Sequence, residues 1–432
     1  MKRFTLNPSV WAVLLLAVGC SSSAEEPSNA GSSAAGGTAG IAGGGAGMAG
    51  SAGNAGGGTA GSGSVGGFAG ASGAGAGAGI GGAGGAGLGG TTGSGGWSGG
   101  APGTTVSDDP TAARTWPSSY GQAMISLWHD DTIGALTLTV DDNSAPDHPW
   151  WLAQGQAHNL KVTWFVITNK VVGNYGGTWP GFANLVKAGH DVQSHTVSHL
   201  NDGLTLDDEY KLSQQDIEKN LPGVRAITLA YPGGTHPISN DPKVAAKYYI
   251  GARGTVGQDN KIGSTNYMMI NSLSGKIILD PTHNAGLPNI VVKNPARAKS
   301  FRGWYCVHYH QMTDAVKTDA LAGFSFIDAH QQDLWVGLFR EVSLYGQERD
   351  AATLTVPHVS ADTIAVEVKD SLPDALFDFP LTVKVALDAS WSKASASQNG
   401  KGVNVKIVQH GGKPFALVDA VPDRGPVILS RQ

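Results

Sequence analysis

Five side chains in this 432-residue sequence are of the kinds that hold a metal ion and move protons. Asp141 and Asp142 are adjacent, His195 and His199 are four apart, and His310 lies far downstream. Imidazole and carboxylate are common zinc ligands, and a catalytic zinc keeps three protein ligands and one open position. His195 and His199 can aim both rings at one point if they share a helical turn, or a tight loop resembling one. Asp142 can supply the third ligand. A cation held there would lower the pKa of a water toward neutrality and polarise a carbonyl. Asp141 would then take the proton. A lone H-x-x-x-H is a weak signal, since two surface histidines at that spacing arise often by chance. The Asp-Asp pair upstream gives the pattern its weight.

The elements that must position these residues can be read around them. Residues 135–140 alternate as a strand does, and Asp141-Asp142-Asn143 ends it. Carboxylates at the C-terminal end of a strand sit where barrel enzymes keep their chemistry. Successive side chains point to opposite faces, so the two need not do the same job. Residues 161–168 predict a second strand, and a helix around 181–188 is bounded by Pro180 and Gly189. Extended residues 191–194 deliver His195-Thr196-Val197-Ser198-His199. A helix over Leu206–Asn220 starts from a Thr205/Asp208 pair resembling a capping box and stops at Pro222-Gly223. A strand over 225–230 ends at Tyr231-Pro232-Gly233-Gly234, and further strands are expected over 248–252, Trp304–Tyr309 and 334–339, with a helix over 340–349. Strands alternating with helices mean βα units and a mainly parallel sheet.

Alternation along 304–309 puts Cys306, His308 and His310 on one face. A Cys-x-His-x-His ligand set is therefore a rival to the Asp-His-His set, and His308 is a candidate second site residue. The ordinary fate of such a thiol is to pack as a small hydrophobe. His148 could reach the rim of the site, whereas His158, His190, His236 and His283 suit surface or structural places.

Thr139-Val140-Asp141-Asp142-Asn143 and His195-Thr196-Val197-Ser198-His199 resemble the first two motifs of the polysaccharide deacetylases, carbohydrate esterase family 4, whose forms are T-F-D-D-G and H-[ST]-x-x-[ST]-H. The resemblance covers roughly residues 115–350. It implies a distorted (β/α) barrel with fewer than eight full units. It implies Asp141 as the catalytic base, and Asp142, His195 and His199 as ligands of a divalent metal, most often zinc. The third motif, R-x-P-Y-G, is altered at 229–234: Pro232 aligns, but Ala230 stands at the Arg position and Gly233 at the Tyr position. The Tyr contributes a backbone N–H to the oxyanion, a role that Gly233 can keep, and Tyr231, two residues before it, is a further candidate to face oxyanion or substrate. The Arg holds the catalytic Asp in the family. Arg253, at the end of a later strand, is expected to replace it. The last motif resembles 303–310 and implies His310 as the general acid. The implied reaction is metal-assisted hydrolysis of an acetyl group on a polysaccharide, as an N-acetyl amide or an O-acetyl ester. A catalytically weak glycan-binding surface lipoprotein is the alternative.

The remaining sequence sets the context. Lys2 and Arg3 precede an apolar run over 10–18, too short to span a bilayer and of signal-peptide proportions. Leu16-Ala17-Val18-Gly19-Cys20 resembles a bacterial lipobox, which implies a signal peptide over 1–19 and lipidation of Cys20; Ser21 fits outer-membrane sorting. Residues 20–104, rich in Gly, Ala and Ser, predict a flexible tether with an r.m.s. reach of roughly 50 Å. Gly96-Trp97-Ser98-Gly99-Gly100 matches a nucleophile elbow in letters only, because no strand precedes it and no helix follows. The barrel is expected over 105–350 and a small all-β module over 351–432, an antiparallel sandwich that braces the barrel or binds carbohydrate. The net charge of -5 without a basic stripe argues against nucleic acid as partner. Cys20 and Cys306 are the two cysteines, so no internal disulfide is expected. Replacing Cys20 with Ser should move the protein from the membrane fraction to the soluble one; unchanged membrane association would remove the lipid anchor.

Overall fold

The computed structural model describes residue 103, residues 105–234 and residues 241–432. The expected signal peptide, Cys20, Ser98 and His236 lie outside the described residues, as does nearly all of the expected tether. In chain order the first strands are β1 Ala123–Ile125, β2 Gly134–Val140, β3 Val162–Val166, β4 Asp191–Ser194, β5 Thr228–Ala230, β6 Gly251–Arg253, β7 Leu273–Ser274, β8 Trp304–Tyr309 and β9 Leu334–Val336. Every residue of β2 is buried, as a strand flanked on both faces must be. It pairs in parallel with β8 along its length, with β9 at Gly134–Leu136 and with β3 at Leu138–Val140. The sheet continues through β4 and β5 to β6, all parallel. Arg253 of β6 then bridges to Ile270, just ahead of β7, which pairs with β8. The strands thus come round on themselves, and the expected distorted (β/α) barrel is the fold.

Helices His148–His158, Trp179–Lys187, Leu206–Asn220 and Asp314–Ala329 cover the outside. Leu136, Leu138, Val140, Tyr305, Val307 and Tyr309 face Trp151, Phe182, Leu185, Ile217 and Phe324 there. The alternate residues Ala135, Trp304 and Cys306 turn the other way and share a second core with Phe165 and Phe339. The helix Leu206–Asn220 begins as its sequence implies: the Thr205 hydroxyl accepts the Asp208 N–H at 3.1 Å, and Asp207, Asp208 and Glu209 complement the dipole in the first turn. Four strands are shorter than expected. β3 covers only Val162–Val166 of 161–168, and β9 only Leu334–Val336 of 334–339, where the Phe339 N–H goes to the Thr163 hydroxyl as the next helix begins. Tyr248 and Tyr249 donate their N–H groups to Ala245, closing a turn, so β6 starts only at Gly251. The Ile227 N–H is spent on the Arg225 carbonyl, so β5 starts at Thr228. Among the described residues no helix is long and apolar enough to cross a membrane.

The later strands are β10 Thr353–Val359, β11 Thr363–Lys369, β12 Leu381–Ala386, β13 Ala394–Gln398, β14 Lys401–Gly402, β15 Val405–His410, β16 Lys413–Ala420 and β17 Val427–Arg431. They form two antiparallel sheets, β1-β12-β16-β15 and β10-β11-β17-β13-β14. The expected boundary at residue 350 does not separate this module cleanly, because β1, from ahead of the barrel, is an edge strand of the first sheet, with Ala123 opposite Val385. A buried charge cluster ties the same parts together. The Lys384 ammonium on β12 lies 3.2 Å from Asp108 and 2.7 Å from Asp131, and Arg302, two residues ahead of β8, pairs with Asp108 at 3.2 Å. Buried charges are tolerable only when paired in this way.

The helix Phe339–Ala351 carries a second buried charge-bearing group, Glu348, which accepts the Phe379 N–H at 3.1 Å. Burial pushes its carboxyl up to about 9, with Asp370 and Asp378 adding to the effect. The folded chain therefore keeps this proton to about pH 9, whereas an exposed Glu releases it near 4.5. The stability it contributes is complete below 4.5 and is lost as pH rises toward 9. Glu348→Gln keeps the acceptor and cannot ionise. Its thermal midpoint should exceed that of the wild type by a margin growing from pH 5 to pH 9, on the order of 2–4 °C for each kcal/mol. A margin independent of pH would remove the buried neutral acid.

Candidate metal centre and active site

The ends of β2, β4, β5, β6 and β8 deliver the candidate residues to one face of the barrel. Beyond β2 the chain turns through three successive left-handed residues, Asp142 (φ 57°), Asn143 (φ 66°) and Ser144 (φ 37°). Non-glycine residues rarely adopt this conformation, so something must hold it. The Asn143 side chain does: its carbonyl accepts the Ile167 N–H at 2.8 Å, and its amide donates to the Gly176 carbonyl at 3.1 Å. Beyond β4 the second motif is likewise strained at Thr196 (φ 69°) and His199 (φ 62°). Buried Glu209, in the first turn of the helix Leu206–Asn220, accepts the Val197 and Ser198 N–H groups at 2.8 and 2.9 Å and the Ser198 hydroxyl as well. The Thr196 hydroxyl accepts the His199 N–H at 3.0 Å.

These loops aim three donor groups at one point. Asp142 Oδ1 is 3.5 Å from His195 Nε2 and 3.8 Å from His199 Nε2. Among the described residues this is the group of acidic, His and Cys side chains whose ligand atoms lie mutually within 4.8 Å. The set fits a cation on three counts. Ligands about 2.0–2.1 Å from a tetrahedral zinc stand roughly 3.3 Å apart, close to the observed separations. Asp142 Oδ1 is buried with no hydrogen-bond partner of its own. The His195 Nδ1–H donates to the Ala230 carbonyl at 2.8 Å, which fixes the tautomer and turns the Nε2 lone pair toward the shared point. Burial lowers the His195 pKa and so favours the neutral, ligating form.

Asp141 lies on the other side of its strand end, 2% exposed. Its Oδ2 meets the guanidinium of Arg253, which is wholly buried. Burial alone would push the Asp141 carboxyl up; Arg253 and then His195 outweigh it and hold it down to about 2. The other oxygen, Oδ1, is buried and unpartnered. It is thus a lone pair on a group that stays ionised at all ordinary pH. His310, just beyond β8, is half-exposed, with Nε2 3.8 Å from both Asp141 Oδ2 and Asp142 Oδ2.

Other candidates lie elsewhere or do other things. Tyr231, expected to face substrate, has a buried side chain packed with Tyr210 and Tyr249, and its hydroxyl donates to the Met268 carbonyl at 3.0 Å. The tight turn after β5 sends that ring into the core instead. Gly233 (φ 65°) is exposed in the same turn. Cys306 is buried in the barrel interior, where desolvation pushes its thiol up to about 11, so the Cys-x-His-x-His ligand set does not form. His308 bonds Ser272 through Nδ1 at 2.7 Å, and burial with the nearby Arg253 charge pushes it down to about 3. His148 packs on Trp164 and Phe182 and donates to the Asn143 carbonyl at 3.3 Å, bracing the turn rather than lining the rim. Glu209 and Asn143 were not singled out from sequence. Glu209 had a usable signal: it falls on the buried face of its helix with Ser213 and Ile217, where an acid needs a partner.

Residues 130–249 match the family model described as polysaccharide deacetylase, so the chain carries a polysaccharide deacetylase domain. A gellan lyase from a Bacillus species is 36% identical over 340 residues, which is 73% of this chain; the chain spans only 13% of that protein. Among solved structures, a Streptococcus pyogenes deacetylase in complex with acetate is 22% identical, over 32% of this chain and 62% of that one, with a TM-score of 0.28. A polysaccharide deacetylase from Bacillus cereus is 21% identical, over 32% of this chain and 46% of that one, with a TM-score of 0.27.

Because Glu209 is what holds the second motif in its strained turn, Glu209→Gln should weaken metal binding on the order of 10–100-fold in a chelator competition. Affinity equal to the wild type would show that the loop holds its shape without it.

Proposed function

We propose that this protein hydrolyses acetyl groups from a polysaccharide, with a divalent metal, zinc in the first instance, held by Asp142, His195 and His199. The observation that carries the reading is the pairing of a convergent three-ligand set with an ionised carboxylate whose free oxygen, Asp141 Oδ1, is buried beside it. When bound, the cation would acidify a water and polarise the acetyl carbonyl. Asp141 Oδ1 takes the proton of the attacking water while Arg253 keeps the carboxylate oriented and charged. The water oxygen bonds to the acetyl carbon, and the C–N or C–O bond to the sugar breaks. His310, open to solvent at the mouth of the site, gives a proton to the departing amine or alcohol. The Gly233 N–H, on the exposed turn after β5, donates to the developing oxyanion. Products are acetate and the free amine or hydroxyl.

The altered third motif would favour the alternative of a glycan-binding protein with little turnover. The position of Arg253 beside Asp141 favours turnover instead, since the charge that motif normally supplies arrives from β6. The sequence of residues 1–20 supports placing the enzyme at the outer membrane or cell surface, anchored through Cys20.

Metal content and acetate release, measured with N-acetylchito-oligosaccharides and acetylated xylan, test the reading. The wild type should bind one metal and release acetate from at least one substrate. Asp141→Asn should lower kcat on the order of 10²–10⁴-fold with the metal retained, and His199→Ala should lose both. Full turnover in Asp141→Asn, or no metal in the wild type, would overturn it.

A further inference from the structure

Next to the metal centre is a cavity of about 420 Å³, bounded by Asp142 and His199 on one side and by the loop after β3 on the other. That loop is firmly built. The Thr168 and Asn169 N–H groups donate to the Thr196 and Val197 carbonyls of the second motif at 3.1 and 3.0 Å. Asn143 grips its far end through the Gly176 carbonyl. A Cβ at Gly176 would run into the Lys170 carbonyl, so the chain is folded there as tightly as glycine permits. Yet this well-anchored loop presents two apolar side chains to water at the cavity: Val172, 71% exposed, and Tyr175, 48% exposed. The Tyr175 hydroxyl is 3.3 Å from the Ser144 hydroxyl, which tethers the ring to the turn that carries Asp142.

A rigid loop has no structural need to expose an aromatic ring beside a reaction centre, and grouped exposed apolar side chains mark binding surfaces. A sugar ring offers an apolar face of C–H groups edged with hydroxyls. Tyrosine offers a flat apolar face with a polar tip. Resting on the reading above, we propose that Tyr175 is a specificity-determining residue: it stacks against a sugar ring of the glycan chain, with Val172 extending the platform, and so fixes which acetyl group reaches Asp142 and His199. The loop is tied to both metal-ligand segments, so its register with the reaction centre is set by hydrogen bonds rather than by closure on substrate.

The test compares Tyr175→Ala, Tyr175→Phe and Tyr175→Trp in the metal-loaded protein. One substrate is whichever acetylated oligosaccharide the wild type turns over, and the other is an aryl acetate, which has no sugar. Tyr175→Ala should raise KM for the oligosaccharide and lower the oligosaccharide-to-aryl-acetate ratio of kcat/KM roughly tenfold, a loss of about 1.4 kcal/mol. Tyr175→Trp and Tyr175→Phe should stay near the wild-type ratio. An unchanged ratio in Tyr175→Ala, or equal losses on both substrates, would overturn the proposal. Binding of the same oligosaccharides to Asp141→Asn, followed by NMR line broadening with and without Tyr175→Ala, separates this proposal from the one it rests on. Sugar binding to Asp141→Asn that depends on Tyr175, together with no acetate release by the wild type, supports the platform and overturns the hydrolase. No sugar binding to Asp141→Asn from either glycan class overturns the platform.

Discussion

One buried charge pair, Asp141 with Arg253, governs how the barrel can be built. A carboxylate 2% exposed at a strand end would ordinarily protonate or resist folding, because removing an ion from water costs several kcal/mol. The guanidinium that offsets this must itself be buried, and it is. Arg253 sits at the last position of β6, so β6 has to curl toward β2 for the two charges to meet. The bridge from Arg253 to Ile270 and the short β7 complete that curl. Arg253 also donates to the Gly254 carbonyl and to the Ser272 hydroxyl, and Ser272 in turn meets His308. Thus the pair that keeps Asp141 ionised also fixes the wall of the barrel beneath it.

The same economy explains the strained loops. Ligands drawn from the ends of separate strands must be turned out of the strand direction to meet at one ion. The left-handed turns at Asp142–Ser144 and at Thr196 and His199 leave that direction so that carboxylate and imidazoles converge. Such turns persist only where the surroundings over-determine them. Here Asn143 does so by bonding the Ile167 N–H and the Gly176 carbonyl beyond β3, and Glu209 by accepting N–H groups of the second motif itself. Buried Glu209, which accepts three hydrogen bonds from the second motif, shapes that motif without itself being one of the convergent ligand residues.

What the sequence disclosed follows from this division. Residues whose identity is chemical were legible: the Asp pair, the H-x-x-x-H loop, His310, and Arg253 as the cation brought in from a later strand. Strong periodicity and caps gave β2, β4, β8 and the helix Leu206–Asn220 nearly to the residue. Residues whose role is to hold others were harder to read: Asn143 looks like any surface polar side chain until its partners are folded beside it, and Glu209 is marked only by its helical spacing with Ser213 and Ile217. Some elements were hidden by local chemistry. The helix Asp314–Ala329 carries Gly323, a weak helix former kept because Ile277 packs where its Cβ would be. Strand β16 contains Pro414, which reads as a strand breaker yet sits near the strand start. Strand β13 is Ala and Ser for the most part and is extended only because β17 and β14 pair with it. The edge strand β1 could not be found from its own three residues, since its partner is some 260 positions away in sequence.

The all-β module finds its place in the same logic. Its contacts with the barrel gather at the starts of the strands: Trp304 and Ala135 share its core, Trp128 donates to the Arg302 carbonyl, and Lys384 and Arg302 meet over Asp108. The reacting groups stand at the opposite ends of the same strands. Devices that cost freedom, such as buried ion clusters and interlocked tryptophans, are thereby kept one strand length from the loops that carry Asp142, His195 and His199. A substitution in the charge cluster would then act on the site only through the strands between. Those strands are buried along their whole length in β2 and β8, so they transmit rigidity rather than movement.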